Sequence, residues 1–118
     1  MRIVERITDD VTVFSIAGKL DTHTSPEAQD RLTACIDDGA LKIAINLEKL
    51  EYISSIGFRV FLMVAKRLQG DGGALRLCGI TGNVKEVFDI SGFASVFDIY
   101  ENEAAALADF KLPRHAKG

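Results

Sequence analysis

The nearly continuous apolar segment Lys42–Leu47 limits the folds open to this chain more than any other feature. It lacks the polar and apolar alternation of a strand with one wet face, so it predicts a central strand covered on both sides. From Ile56 to Leu68 apolar residues recur at spacings of three and four, which predicts a helix packed on that sheet. A second apolar strand, Ala74–Gly79, follows a glycine-rich turn. These three segments predict two parallel strands joined by a helix.

The remaining segments extend this unit into a mixed α/β domain. Arg2–Thr8 and Val11–Gly18 are β-rich and separated by two aspartates, which predicts an antiparallel hairpin at the start of the sheet. The expected order is β-β-α-β-α-β-α-β-α, with a mostly parallel sheet, right-handed crossovers and about four helices. The other expected elements are a helix capped by Ser25 and ending before Gly39, a loop over Glu48–Ser54, a helix over Asn83–Ser91 ended by Gly92, a strand over Phe97–Tyr100 and a helix over Glu101–Phe110.

Length and charge bound the function classes. The 118 residues fit one domain, which we place at 1–110 with a flexible tail over 111–118. Fourteen basic and seventeen acidic side chains give a net charge of −3, which argues against a nucleic-acid partner. The longest uncharged apolar run, Val60–Ala65, is far shorter than the roughly 20 residues of a membrane-spanning helix. The N-terminus has charged residues instead of an apolar signal core, so we expect a cytoplasmic protein without membrane insertion.

The sequence contains no complete catalytic or metal-binding constellation. There is no phosphate-binding glycine motif after a strand, no P-loop and no histidine pair at metal spacing. His23 is interpreted as a solvated loop residue and His115 lies in the tail. Cys35 and Cys78 are interpreted as small core residues, with a disulfide as the alternative. We therefore predict a protein that is not an enzyme and that holds no cofactor or metal.

The most informative segment lies where a polar loop meets the predicted helix that begins near Ile56. Ser54 and Ser55 precede it, and a serine at a helix start is a common N-cap, so capping alone explains one of them. Gly57 is costly within a first turn, and its bare backbone would let another surface approach closely. A phosphate on Ser55 would meet the favourable helix dipole and would change the outer surface without disrupting the helix.

Three motifs resemble those of STAS domains, in particular the small, free-standing bacterial anti-sigma factor antagonists. The family's Asp/Ser-Ser-x-Gly motif before a helix stands here as Ser54-Ser55-Ile56-Gly57, and its Gly-x-Leu-Asp segment stands as Gly18-Lys19-Leu20-Asp21. The segment from Phe88 through Glu101, together with Ala104–Ala106, also resembles the family's ending. The resemblance covers almost the whole chain.

The resemblance implies a phosphorylation-controlled binding protein. In the family, the unphosphorylated antagonist binds an anti-sigma factor that is also a serine kinase with the histidine-kinase-like fold, and this frees the sigma factor. Phosphorylation by that kinase ends the association, and a serine phosphatase restores it. By position the phosphoacceptor is Ser55, and Asp21 matches the aspartate that contributes to the partner surface.

Two departures from the family pattern leave alternatives open. Ser54 replaces the aspartate that many members have before the acceptor, which leaves Ser54 as a competing acceptor. The bulky Ile56 replaces a small residue and either adds an apolar contact or shields the serine. Asp21 has a second interpretation as a turn cap. The predicted partner-binding residues are Asp21, Thr22, Ser54, Ser55, Ile56, Gly57, Arg59 and Met63. Arg59 and Met63 share one helical stripe with Lys66 and Arg67, which we predict as the docking surface beside Ser55.

A second functional hypothesis is a constitutive scaffold or accessory subunit, since STAS domains also serve in stress-signalling assemblies and membrane transport complexes. The two hypotheses differ at Ser55. A switched antagonist loses its partner when charge is placed there, whereas a scaffold is indifferent to the change.

Overall fold

A computed structural model describes residues 1–111 of the chain. Within that range the chain forms six strands and four α-helices. The strands are β1 (Arg2–Thr8), β2 (Val11–Leu20), β3 (Lys42–Asn46), β4 (Leu50–Ile53), β5 (Ala74–Cys78) and β6 (Asp98–Tyr100). The helices are α1 (Ser25–Asp37), α2 (Ser55–Gly70), α3 (Gly82–Ser91) and α4 (Glu103–Lys111), and a short 3₁₀ turn covers Phe93–Ser95.

The sheet is mixed, as the sequence predicts. Strands β1 and β2 form the antiparallel hairpin, and β2, β3, β5 and β6 follow in parallel, in the spatial order β1-β2-β3-β5-β6. The central strand β3 buries Ile43, Ala44 and Ile45 completely, which confirms that it is covered on both faces. Of the predicted tail over 111–118, Lys111 is the last residue of α4, and residues 112–118, with His115, lie outside the described residues.

Two local predictions are wrong. The segment expected to be a loop contains β4, which pairs in parallel with the end of β2 and extends β2 to Leu20. The pattern of β4 is buried at Leu50 and Ile53 and exposed at the two residues between them, so it lacks the alternation that identifies a strand. Ser25 is not the cap of α1 either, because the N-cap position belongs to Thr24 and Ser25 is buried.

Helices α1, α2 and α3 share a large core with one face of the sheet. An aromatic group ties the start of α2 to α3 and the 3₁₀ turn, because the Phe58 ring packs 4.7 Å from Phe88 and 4.5 Å from Phe93, centroid to centroid. Arrangements of this kind contribute beyond the area that they bury. Aromatic packing thus holds the first turn of α2 against α3 and the 3₁₀ turn.

Helix α4 covers the other face of the sheet, where an arginine is buried. Arg76 of β5 is 1% exposed, and its guanidinium lies 3.1 Å from the Asp98 carboxylate and 2.9 Å from that of Asp109. The guanidinium carbon also lies 4.5 Å from the centre of the Phe110 ring. The Tyr100 hydroxyl donates to Asp109 at 2.6 Å, and burial together with this bond raises the pKa of Tyr100 to about 12.

We expect Arg76→Ala to lower the free energy of unfolding by about 2–4 kcal/mol, because the change leaves Asp98 and Asp109 without their buried counter-charge. Urea denaturation followed by circular dichroism measures this loss. Lys85→Ala is the control, since it removes an exposed ion pair with Asp89 and should cost less than about 0.5 kcal/mol. Equal losses in the two variants would contradict the assigned role of Arg76.

Candidate functional site

The pairing of β2 with β4 brings the two predicted parts of the site to one edge of the sheet. Leu20 at the end of β2 pairs with Ile53 at the end of β4, and the Ser54 amide donates to the Leu20 carbonyl at 2.9 Å. The loop that begins at Asp21 therefore lies beside the start of α2, because both follow the C-terminal ends of paired parallel strands.

Ser54 and Ser55 have different environments, which show which of the two serines caps α2. Ser54 is the N-cap of α2, with extended backbone, and its hydroxyl oxygen accepts the Gly57 amide at 3.4 Å. Ser55 is the first helical residue, and its side chain is exposed. Of the two serines, Ser54 is therefore the cap, and the Ser55 hydroxyl is accessible from outside.

Gly57 faces the interior. An added Cβ would lie 2.8 Å from Cγ1 of Ile53 and 3.0 Å from Cδ2 of Leu20. The surface that approaches this glycine closely is thus the chain's own β2 and β4, and not the outside as the sequence suggested. Gly57 positions the first turn of α2 against the end of the sheet.

Asp21 organises its own loop. Its carboxylate accepts the amides of His23 at 2.9 Å and Thr24 at 3.1 Å, and the hydrogen bond from Thr24 holds the pKa of Asp21 below its usual value, with a further contribution from His23. The Thr24 hydroxyl bridges this turn by accepting the Asp21 amide and donating to the Lys19 carbonyl. The turn-capping interpretation is confirmed, while the partner role of Asp21 and of the exposed Thr22 stays a prediction.

The outer face of α2 forms a shallow groove with α1. Ile56 and Arg59 are exposed, Met63 is half-buried, and the charged rim of the groove continues towards the end of the helix. Arg67 on that rim pairs with Asp37 of α1. The groove is lined by Gln29, Ile56, Arg59, Val60, Leu62, Met63, Lys66 and Arg67. The predicted stripe thus forms one continuous surface that begins beside Ser55.

Among residues 1–111, no group of histidine, cysteine, aspartate and glutamate side chains is placed to hold a metal ion. Cys35 and Cys78 are free thiols, and burial raises the pKa of Cys78 to about 11. None of the described helices has the length and apolar character needed to cross a membrane.

Comparisons with known proteins place these features in one family. The STAS domain family model matches residues 2–106. BtrV of Bordetella bronchiseptica, provisionally named an anti-sigma factor antagonist, is 37% identical over 97% of this chain and 100% of its own length. The anti-sigma-B factor antagonist of Staphylococcus aureus is 30% identical over 73% of this chain and 80% of its own.

Solved structures of a third antagonist show the same fold. SpoIIAA in its unphosphorylated form matches this chain with a TM-score of 0.72, at 20% identity over 92% of this chain and 96% of that one. Bacillus SpoIIAA in its phosphorylated form matches with the same TM-score, at 22% identity over 93% of this chain and 100% of that one.

The two serines should differ in their effect on stability. We expect Ser54→Ala to lower the free energy of unfolding by roughly 0.5–1 kcal/mol, because the Gly57 amide loses its acceptor. Ser55→Ala should change it by less than about 0.3 kcal/mol, since an exposed side chain is removed. Urea denaturation measures both, and a larger loss at Ser55 would show that the cap is wrongly assigned.

The packing at Gly57 predicts opposite effects of alanine at the two ends of α2. Gly57→Ala should lower the free energy of unfolding by about 1 kcal/mol or more, because overpacking against Leu20 and Ile53 outweighs the gain in helix propensity. Gly70→Ala meets no atom within 4 Å and should raise it by about 0.5 kcal/mol. Thermal unfolding measures both, and stabilisation by both alanines would refute the internal packing role of Gly57.

Proposed function

Because this chain belongs to the STAS domain family, we propose that it is an anti-sigma factor antagonist, which binds an anti-sigma factor and so releases a sigma factor for transcription. The names of its relatives support this proposal, and they match over 97% and 73% of the chain. The site supports it too, because a surface groove with an exposed serine at its end suits protein binding better than catalysis.

The observation that carries the proposal is the exposure of Ser55 at the first turn of a helix whose cap is already supplied by Ser54. A phosphate on Ser55 adds roughly −1.5 to −2 charges at the positive end of the helix dipole, so the fold tolerates it. The same charge changes the surface beside the groove. Phosphorylation of Ser55 therefore acts on binding and leaves folding intact. Ser54 is the poorer acceptor, because its hydroxyl is half-buried and engaged with Gly57.

The partner in this proposal is an anti-sigma factor with the histidine-kinase-like serine kinase fold. It transfers the γ-phosphoryl group of ATP to the Ser55 oxygen, which releases ADP and the hydroxyl proton. A serine phosphatase returns the site by hydrolysis to serine and inorganic phosphate. This chain supplies the acceptor and the docking surface, and the partner supplies the nucleotide and the catalytic groups.

The proposed docking surface joins the two loops and the groove. Asp21 and Thr22 contribute from the loop after β2, and Ile56, Arg59 and Met63 contribute from α2. Ser54 and Gly57 act indirectly, because they fix the first turn on which Ser55 and Ile56 are presented. The exposed Ile56 beside the acceptor suits an apolar contact at the centre of the interface, with the polar rim around it.

A quantitative pull-down from lysate of the native bacterium tests the proposal. The bait is wild type, Ser55→Ala or Ser55→Asp, and the bound proteins are quantified by mass spectrometry. Wild type and Ser55→Ala should capture an ATPase-type kinase, and Ser55→Asp should capture at least about tenfold less, since like or unpaired charge in an interface costs several kcal/mol.

Thr81→Asp is the matched control. Thr81 is exposed at the start of α3 and makes no side-chain cap bond, so aspartate there adds the same single charge to a different helix terminus. It should retain the kinase. Capture of one non-kinase complex by all four baits would refute the switch and favour a constitutive scaffold.

A further inference from the structure

A cationic side chain without an ion-pair partner lies one helical turn after the proposed phosphoacceptor. Arg59 follows Ser55 by four residues on α2, and both side chains are exposed. On this helix Arg67 forms an ion pair with Asp37. Within the described part of the chain, Arg59 has no carboxylate partner. Its guanidinium is therefore available to a new anion.

Helix geometry directs Arg59 towards Ser55. Residues four apart lie on the same face of a helix, and each Cα–Cβ bond tilts towards the N-terminus. A long side chain therefore covers the turn before its own Cα, which for Arg59 is the turn that begins at Ser55. Arg59 lines the same groove as Ile56, the residue that follows Ser55.

We propose that Arg59 is the internal partner of phosphate on Ser55. The planar guanidinium donates two parallel hydrogen bonds to phosphate oxygens, a geometry that makes arginine a strong phosphate ligand. The inference rests on the proposed function in one respect only, namely that Ser55 is the residue that carries the phosphate. It adds a residue of this chain to the switch.

The other charged groups around Ser55 fit this role less well. The carboxylate of Asp21 in the neighbouring loop is negative and is bound by the amides of His23 and Thr24, so it repels a phosphate. Lys19 near the end of β2 is exposed and pairs in register with Tyr52 of β4. It lies on a different element from Ser55, and no helical spacing aligns it with the serine.

The pairing gives phosphorylation two effects on the docking surface. Before modification, Arg59 presents a free positive charge next to Ile56, where an acidic group of the partner can bind it. After modification, the phosphate takes up this guanidinium and adds its own negative charge. The partner then loses one attractive contact and meets one repulsive group, both on the same turn of α2.

Phosphorus NMR on the full chain tests the pairing without a kinase or an anti-sigma factor. Phosphoserine is installed at position 55 by genetic-code expansion, and the second pKa of the phosphate is read from its chemical shift as pH is raised. An arginine at this spacing stabilises the dianion, so this pKa should be lower in the parent chain than in Arg59→Gln by about 0.3 unit or more.

Two matched variants remove the same charge elsewhere. Lys66 lies eleven residues from Ser55 on the same helix, about 16.5 Å along the axis at 1.5 Å per residue, so Lys66→Gln should leave the phosphate pKa unchanged. Lys19→Gln should leave it nearly unchanged as well. A shift produced only by Arg59→Gln supports the pairing.

Three results would overturn the pairing. They are no shift in any variant, equal shifts in all three, or a shift confined to Lys19→Gln. Each of them leaves the proposed antagonist function standing, because no partner takes part in the measurement. Failure of that function would appear instead as unchanged partner capture by the Ser55 variants.

Discussion

The short parallel pairing between the end of β2 and β4 is the constraint on which the site depends. Leu20 and Ile53 pair there, and the Ser54 amide closes the pairing by donating to the Leu20 carbonyl at 2.9 Å. The same two apolar side chains occupy the space next to Gly57, so α2 begins at a fixed height above the strand ends. The loop of Asp21 and the exposed Ser55 are neighbours only because this pairing holds them.

This arrangement keeps Ser55 out of the contacts that cap and pack the first turn of α2. Ser54 caps α2 by accepting the Gly57 amide. Gly57 and Phe58 pack the first turn of the helix against the interior. Ser55 contributes to neither, so a charge placed on it has little folding energy to disturb. In the proposed switch, a phosphate on Ser55 changes the surface that a partner meets and not how the domain folds. The proposed switch thus acts through surface electrostatics next to a rigid frame.

Local patterns predicted most of the fold, and long-range contacts supplied the rest. The apolar run of β3 and the helical spacing of α2 identified the central unit. A strand buried on both faces leaves a continuous apolar run, whereas a helix buried on one face leaves apolar residues at spacings of three and four. Strand β4 was missed because it buries only Leu50 and Ile53 and pairs with residues more than thirty positions earlier. The interior role of Gly57 could not be read from its sequence context, since the atoms that approach it belong to β2 and β4.

The most direct test of the central claim is to locate the phosphate. The protein, its Ser54→Ala variant and its Ser55→Ala variant are isolated from the native bacterium, and their phosphorylated peptides are sequenced by mass spectrometry. We expect phosphate on Ser55 in the wild type and in Ser54→Ala, and its loss in Ser55→Ala. Phosphate on Ser54, or persistence of the modification when Ser55 is absent, would contradict it.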